Sequence, residues 1–181
     1  MANIEKSPFL AGAVRWLYGP DAPHVCPGCG YAWSTDAADA LQLIAASPVR
    51  YAALLEHRDG MVAPADGSWN ATSFLWHLTD LARGWSERWA LLAAVPMAEF
   101  AGWDPDELAA ARNYRNLETV SALWALPRAV EVLVELSGGL DASTPFAHGD
   151  WGRGTVGDAL RWLAHEFVHH QTDVVARVVA M

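Results

Sequence analysis

Apolar residues recur at steps of three and four along most of the chain, which is the spacing of an amphipathic helix. The clearest stripe lies within about 72–94 and comprises Leu75, Leu78, Leu81, Ala82, Trp85, Trp89 and Leu92. Further helices are predicted over about 36–59 with a break at Pro48, 104–114, 117–136 with a kink at Pro127, and 155–180. Long helices joined by short links predict an all-α protein built as an antiparallel four-helix bundle.

The chain divides into two unequal parts. Residues 1–35 are rich in proline and glycine and contain both cysteines, so we expect an irregular segment there. Residues 36–181 carry the helical pattern and form the bundle. Strand alternation is not convincing anywhere, although 143–153 could contain a short hairpin.

Charge and composition narrow the classes of function. A net charge of -9 argues against binding nucleic acid, which needs clustered lysine and arginine. We see neither an export signal nor an apolar stretch near the ~20 residues of a membrane span. Two cysteines do not make a disulfide scaffold. We therefore expect a cytoplasmic protein.

The last predicted helix carries the most informative polar residues. His165 and His169 stand four apart, so they project side by side and can bind one metal ion. Arg161 and Asp173 extend the same stripe in both directions. Such groups on an apolar helix need to satisfy one another, a metal or a ligand, because burying them without partners is costly.

A third ligand would have to come from another helix. His77 is the candidate, because it lies among core-like residues near the start of the second long helix. Asp80, three residues on, could orient a ligand. Three imidazoles would leave open positions on zinc, nickel or a similar divalent ion. Two alternatives stay open: the histidines could be ordinary core residues, or His170 could be the inward residue if the helix is rotated.

The sequence Cys-Pro-Gly-Cys at Cys26 and Cys29 has the form of half a zinc site. His24, His57 or the same segment of a second subunit could complete it, and the last case would give a reason for a homodimer. Free thiols and a disulfide are the alternatives.

The segments WNATSFLWHLTD, AGWDPDELAAARNY and LAHEFVHHQTDVVARV, in this order and spacing, resemble the DinB-like superfamily. The resemblance covers about residues 36–180. It is closest to the actinobacterial branch related to mycothiol-dependent maleylpyruvate isomerase and to the bacillithiol and mycothiol S-transferases. The segment CPGCGYAW also looks like a feature of one actinobacterial subgroup. The resemblance implies a four-helix bundle with a metal held by three histidines, which fall on His77, His165 and His169.

The resemblance also implies an activity. Characterised relatives use the metal to bind the thiol of a small cofactor such as mycothiol, which then reacts with an electrophile or is isomerised as an adduct. We accordingly expect a metal-dependent thiol transferase or isomerase, with Asp80, Asp173 and Arg161 as supporting polar contacts. A metal-dependent hydrolase and a non-catalytic metal- or ligand-binding module are the alternatives.

Overall fold

Four long helices form the bundle in the computed structural model, which describes residues 7–179. They are α2, α3, α5 and α6, with bounds Ala37–Leu55, Ala71–Ala94, Thr119–Gly138 and Val156–Val179. Helix α2 packs against α5 and α6, and α3 packs against the same two helices on the other side. The predicted four-helix bundle is confirmed. Its last helix was expected to reach Ala180, which lies outside the described residues.

Helix α6 begins where the sequence predicts, because Thr155 and Asp158 cap it reciprocally. The Thr155 backbone N–H donates to Asp158 Oδ2 at 3.0 Å, and the Asp158 N–H donates to Thr155 Oγ1 at 3.3 Å. This capping box satisfies donors that the first turn leaves without partners. It fixes the start of the helix that carries most of the candidate metal ligands.

The predicted break at Pro48 is wrong, since α2 runs through the proline without interruption. Proline lacks the N–H that would donate to the carbonyl four residues earlier. That carbonyl belongs to Ile44, and the Ser47 hydroxyl donates to it at 2.7 Å. A neighbouring side chain thus supplies the missing donor. Pro127 is likewise accommodated inside α5.

The expectation that 1–35 is irregular is also wrong in part, because an additional helix, α1, spans Pro8–Tyr18. The Ser7 side chain caps it by accepting from the Leu10 N–H at 3.2 Å. Its apolar residues Phe9 and Leu10 are buried, and the helix packs against α6. Residues 1–6 lie outside the described part. Docking of α1 brings the segment 19–36 alongside the last helix.

A small three-stranded sheet packs beside the bundle, where its strand β3 contacts α1 and α6. Strand β2 (Pro145–His148) pairs antiparallel with β3 (Gly152–Thr155), so the hairpin suspected from the sequence is present. The short strand β1 (Glu99–Phe100) pairs parallel with β2. Helix α4 (Pro105–Arg112) and a 3₁₀ turn (Tyr114–Asn116) connect β1 to α5. Within residues 7–179, no helix has the length and apolar content needed to cross a membrane.

Candidate metal centres

Helix α6 presents metal-binding side chains on two adjacent faces. Neighbouring residues of an α-helix are rotated by about 100°, because one turn takes 3.6 residues. His165 and His169 therefore share one face, which turns toward the N-terminal segment, and Glu166 and His170 share the next, which turns toward α3. The run HEFVHH thus contains two overlapping pairs at a spacing of four.

The first group, which we call the α3 cluster, consists of His77, Glu166 and His170. One ligand atom from each lies within 4.8 Å of the others. Glu166 Oε2 is 3.4 Å from His170 Nε2 and 3.9 Å from His77 Nε2. All three side chains are at most 15% exposed. Two imidazoles and one carboxylate form a donor set found in catalytic zinc and iron sites.

Asp173 holds His170 in the orientation that the α3 cluster requires. Its Oδ2 lies 2.7 Å from His170 Nδ1, on the opposite side of the ring from Glu166. With the proton on Nδ1, His170 Nε2 is available as a ligand atom. A carboxylate behind a histidine in this way is the usual support of a metal-binding imidazole.

The electrostatics of the α3 cluster favour a bound cation. Burial raises the pKa of Glu166, but the neighbouring imidazoles of His165, His170 and His77 outweigh it and hold that pKa well below its usual range. Burial lowers the pKa of His170, yet Asp173 and Glu166 together raise it to about 9. Without a metal, the cluster thus contains the buried carboxylate of Glu166 and an additional proton on the His170 ring. A divalent cation can take the place of that proton.

The second group, which we call the knuckle cluster, consists of Cys26, Cys29, His165 and His169. One ligand atom from each lies within 4.8 Å of the others, and Cys26 Sγ is 3.4 Å from His169 Nδ1. The two cysteines belong to a tight turn in which the Gly30 N–H donates to the Cys26 carbonyl at 2.8 Å. Gly30 has a φ of 76°, which favours glycine.

One buried nitrogen in the knuckle cluster has no hydrogen-bond partner among the described residues. His165 Nδ1 lies 3.2 Å from Glu166 Oε1, but His165 Nε2 is buried and unpartnered. The rings of Trp33 and Tyr31 pack on this imidazole and shield it from water. Leaving such a nitrogen unsatisfied costs free energy. A metal ion at Nε2 would remove that cost.

The surroundings of Cys26 favour its thiolate form, which is the form that binds a metal. Burial raises the pKa of the Cys26 thiol, but the Tyr18 hydroxyl, 2.8 Å from its sulfur, the nearby His165 ring and the backbone amides of Cys29 and Gly28 lower it to about 6. Burial raises the pKa of Cys29 to about 11. One thiolate is thus formed readily, and the second would need a metal to deprotonate it.

The structure separates residues that the sequence grouped together. His77 lies with Glu166 and His170, whereas His165 and His169 lie with the cysteine pair. The two pairs of residues on α6 are offset by one position along the helix. They face different neighbours because α3 and the N-terminal segment approach this helix from different sides. The signals were present in the sequence: Glu166 and His170 repeat the spacing of four, and the Cys-x-x-Cys half-site needs two more ligands.

Two predicted supporting residues make their hydrogen bonds outside both clusters. Asp80 accepts hydrogen bonds from Tyr114 and Arg112 and so connects α3 to the end of α4. Arg161 Nε donates to the Thr35 carbonyl at 2.8 Å and joins α6 to the start of α2. Neither residue is among the ligand groups of the described chain. Of the three supporting residues predicted, Asp173 is the one that contacts the clustered histidines.

His24 and His57, the suggested partners of the cysteines, are both exposed and outside the knuckle cluster. The four residues of that cluster come from one chain. A second subunit is therefore not needed to complete the site, and the homodimer stays a prediction without this reason.

A cavity of about 200 Å³ lies over the α3 cluster. His77, Glu166 and His170 contribute to its lining, and its walls carry six tryptophans: Trp16, Trp69, Trp85, Trp103, Trp151 and Trp162. Arg88 supplies a cation to the lining, with its guanidinium 4.7 Å from the Trp85 ring centre and 4.3 Å from that of Trp103. Burial lowers the pKa of Arg88 to about 10, so it stays charged at neutral pH. The cavity is apolar with charged groups at separate points.

No protein-family model and no curated protein matches the sequence of this chain. Among solved structures, the chain is similar to YfiT from Bacillus subtilis, described as a probable metal-dependent hydrolase with an unusual four-helix bundle topology. The TM-score is 0.66 at 18% sequence identity, and the match covers 78% of this chain and 86% of YfiT. The similarity establishes the fold. The two clusters of candidate ligands make a divalent metal the expected cofactor.

Proposed function

We propose that this protein is a metal-dependent enzyme whose reaction centre is the α3 cluster. One observation carries the proposal: the ligand atoms of His77, Glu166 and His170 converge within 4.8 Å at an apolar cavity. Three protein ligands leave coordination positions free for a substrate, which is the arrangement of catalytic rather than structural metal sites. Zinc fits this donor set, and nickel is an alternative.

A divalent metal in this position supplies a Lewis acid that lowers the pKa of a thiol or water molecule placed in its open positions. The residues of this chain orient the metal ligands and shield the reacting groups from water. Asp173 holds His170 in the ligating tautomer, and the tryptophan walls exclude water from the reacting groups. Arg88 lines the cavity and would form an ion pair with an anionic group of the substrate. A substrate with an apolar body and a negative charge fits these features.

The resemblance to mycothiol-dependent relatives leads us to propose a low-molecular-weight thiol, similar to mycothiol, as the nucleophile. In the reaction the thiol loses its proton and its sulfur forms a bond to an electrophilic carbon of the second substrate. The leaving group of that carbon departs with the electron pair and takes up the proton that the thiol released. In an addition, the atom next to that carbon takes up the electrons and then the proton. The protein would then be a thiol transferase or isomerase, acting in the reducing cytoplasm where such thiols occur.

Hydrolysis is the second candidate function. It is favoured by the donor set, because two histidines and one glutamate also hold the zinc of hydrolytic enzymes. The description of YfiT as a probable metal-dependent hydrolase points the same way. A non-catalytic binding module would use the same cavity without turnover.

Cobalt substitution distinguishes these candidates, because its visible spectrum reports the ligands. In cobalt-loaded protein in which the knuckle cluster is filled with zinc, added mycothiol or a simple analogue should produce a sulfur-to-cobalt charge-transfer band. His77→Ala and His170→Ala should abolish it, and the exposed His57→Ala should not. A spectrum that stays unchanged with thiol, together with ester or amide hydrolysis whose rate profile has a pKa near ~7, would establish the hydrolase instead.

A further inference from the structure

The geometry points to a second metal site in this protein: Cys26, Cys29, His165 and His169 form a tetrahedral zinc site that also orients Glu166 of the α3 cluster. The existence of this site does not depend on the proposed reaction, whereas its link to Glu166 rests on the proposed reaction centre. Its ligands differ from those of the α3 cluster, and it does not belong to the lining of the tryptophan cavity.

The donor set indicates zinc. Two thiolates and two imidazoles make a closed set of four ligands, which is the composition of structural zinc sites. Thiolate sulfur also selects zinc over harder ions such as magnesium or manganese. Cys26 and His165 are buried, and the other two ligands are half-buried. Four protein ligands leave no position for a substrate, so the site is expected to be structural.

The turn that carries the cysteines is built against α6. A Cβ atom at Gly28 would lie 2.8 Å from His169 Cε1, so the turn approaches the imidazole as closely as glycine allows. The pairing of Val25 with Ala32 closes the turn behind the two cysteines. Backbone and side chain therefore both place the sulfur atoms next to the histidines of α6.

A disulfide or two free thiols would not explain why His165 Nε2 is buried beside the cysteines without a hydrogen-bond partner in the described part of the chain. A Cys26–Cys29 disulfide would remove both sulfurs as ligands and leave His165 Nε2 buried without a partner. Two free thiols would leave that nitrogen in the same state. A site shared between subunits is unnecessary, because one chain provides all four ligands. A bound zinc ion accounts for the cysteines and for the unpartnered nitrogen together.

The zinc site would act on the α3 cluster through His165. Zinc at Nε2 forces the remaining ring proton onto Nδ1, which lies 3.2 Å from Glu166 Oε1. That hydrogen bond holds one oxygen of Glu166, and the other oxygen faces His77 and His170. Filling the knuckle cluster therefore sets the direction of a ligand in the α3 cluster. In other metal sites, loss of such an outer contact typically weakens metal binding by 10–100-fold.

Metal content measured by elemental analysis tests the site. Protein loaded with zinc and desalted should carry about two metal ions per chain. Cys26→Ser and Cys29→Ser should carry about one, and so should His170→Ala, whereas the matched control His24→Ala, next to the turn but outside both clusters, should keep two. Cobalt-loaded His170→Ala should show sulfur-to-cobalt charge transfer without added thiol, and cobalt-loaded Cys26→Ser should not.

Wild-type protein provides a test that does not depend on how the variants fold. Stepwise reaction with an organomercurial should release one zinc ion as two thiols are modified, while a second ion stays bound. Modification of both thiols without release of zinc, or no reactive thiol after denaturation without reductant, would overturn the site. For the link to Glu166, we expect Cys26→Ser to bind cobalt in the α3 cluster at least about tenfold more weakly. Unchanged affinity would refute the link, and neither result depends on catalytic activity.

Discussion

His165 Nδ1 lies 3.2 Å from Glu166 Oε1, although these consecutive residues belong to different clusters. Asp173 makes a similar connection, with one oxygen 2.7 Å from His170 Nδ1 and 3.9 Å from His169 Nε2. Two carboxylates of α6 thus contact the histidines of both groups. The clusters form one polar layer inside an apolar bundle, and a change in one is expected to affect the other.

Glu166→Gln should weaken metal binding by the α3 cluster much more than metal binding by the knuckle cluster. The substitution keeps the size of the side chain but removes the negative charge of the proposed metal ligand, which lies beside three imidazoles. We expect the affinity of the α3 cluster for cobalt to fall by at least about a hundredfold, above the usual effect of an outer contact. The knuckle cluster should keep its metal. Competition with a chromophoric chelator measures both affinities, and the exposed Glu56→Gln serves as the control. Equal affinities in wild type and variant would remove Glu166 from the ligands.

Gly28→Ala should weaken zinc binding by the knuckle cluster. Its new Cβ would lie 2.8 Å from His169 Cε1, so the imidazole or the turn has to shift. Because metal sites tolerate little displacement of a ligand, we expect about tenfold weaker zinc binding there. Gly138→Ala, where a Cβ has no neighbour within 4 Å, should leave the affinity as in wild type. Zinc release to a chelator, followed over time, distinguishes the two variants. Identical release curves would contradict the close contact between the turn and α6.

Asp80→Asn tests whether Asp80 supports the fold or the metal. Its carboxylate accepts from Tyr114 and Arg112, and an amide would leave one of these donors facing another donor. Hydrogen bonds to charged groups contribute roughly 1.5–3 kcal/mol, so we expect a loss of about 2 kcal/mol in the free energy of unfolding. Tyr114→Phe should cost less, because it removes one contact. Urea denaturation gives the stability and elemental analysis the metal content. Metal lost at unchanged stability would return Asp80 to the metal centre.

His148→Gln should change how stability depends on pH. Burial, followed by the charge of Arg88, lowers the pKa of His148 to about 4 despite the opposing effect of Asp150. The Asp150 N–H donates to His148 Nδ1 at 3.3 Å, which requires the neutral ring. Below pH ~6.5 the unfolded chain binds a proton that the folded chain does not. This contribution to stability is therefore complete above pH ~6.5 and is lost as the pH falls toward about 4.

The measurement is the difference in unfolding free energy between wild type and His148→Gln at several pH values. The glutamine variant should lose less stability than wild type between pH ~6.5 and about 4, and the difference should be constant above that window. Protonation of the metal ligands affects both proteins and cancels in the comparison. His24→Gln, at an exposed position, is the control. A difference that is independent of pH would show that His148 binds its proton equally in the folded and the unfolded protein, so that folding does not lower its pKa.

Local sequence determined much of this protein. Helical periodicity predicted α3, α4, α5 and α6, and the Thr155–Asp158 pair marked the start of the last helix, because caps and apolar stripes act within a few residues. The chemistry was local too: a pair of cysteines two apart and paired histidines four apart indicated metal ligands. The error at Pro48 was of the same local kind, since the Ser47 hydroxyl replaces the donor that proline lacks.

Only the tertiary structure decided which ligands belong together. Both the pair His165–His169 and the pair Glu166–His170 have the spacing that places two side chains on one face, so spacing alone does not distinguish them. The choice depends on the rotation of α6 against α3 and on α1, whose docking brings the cysteine turn to the same helix. A rotation of about 100° exchanges the two pairs, and that angle follows from packing between residues distant in sequence. The sequence therefore predicted a metal-binding bundle, and the packing of α1, α3 and α6 divided its candidate ligands into two clusters.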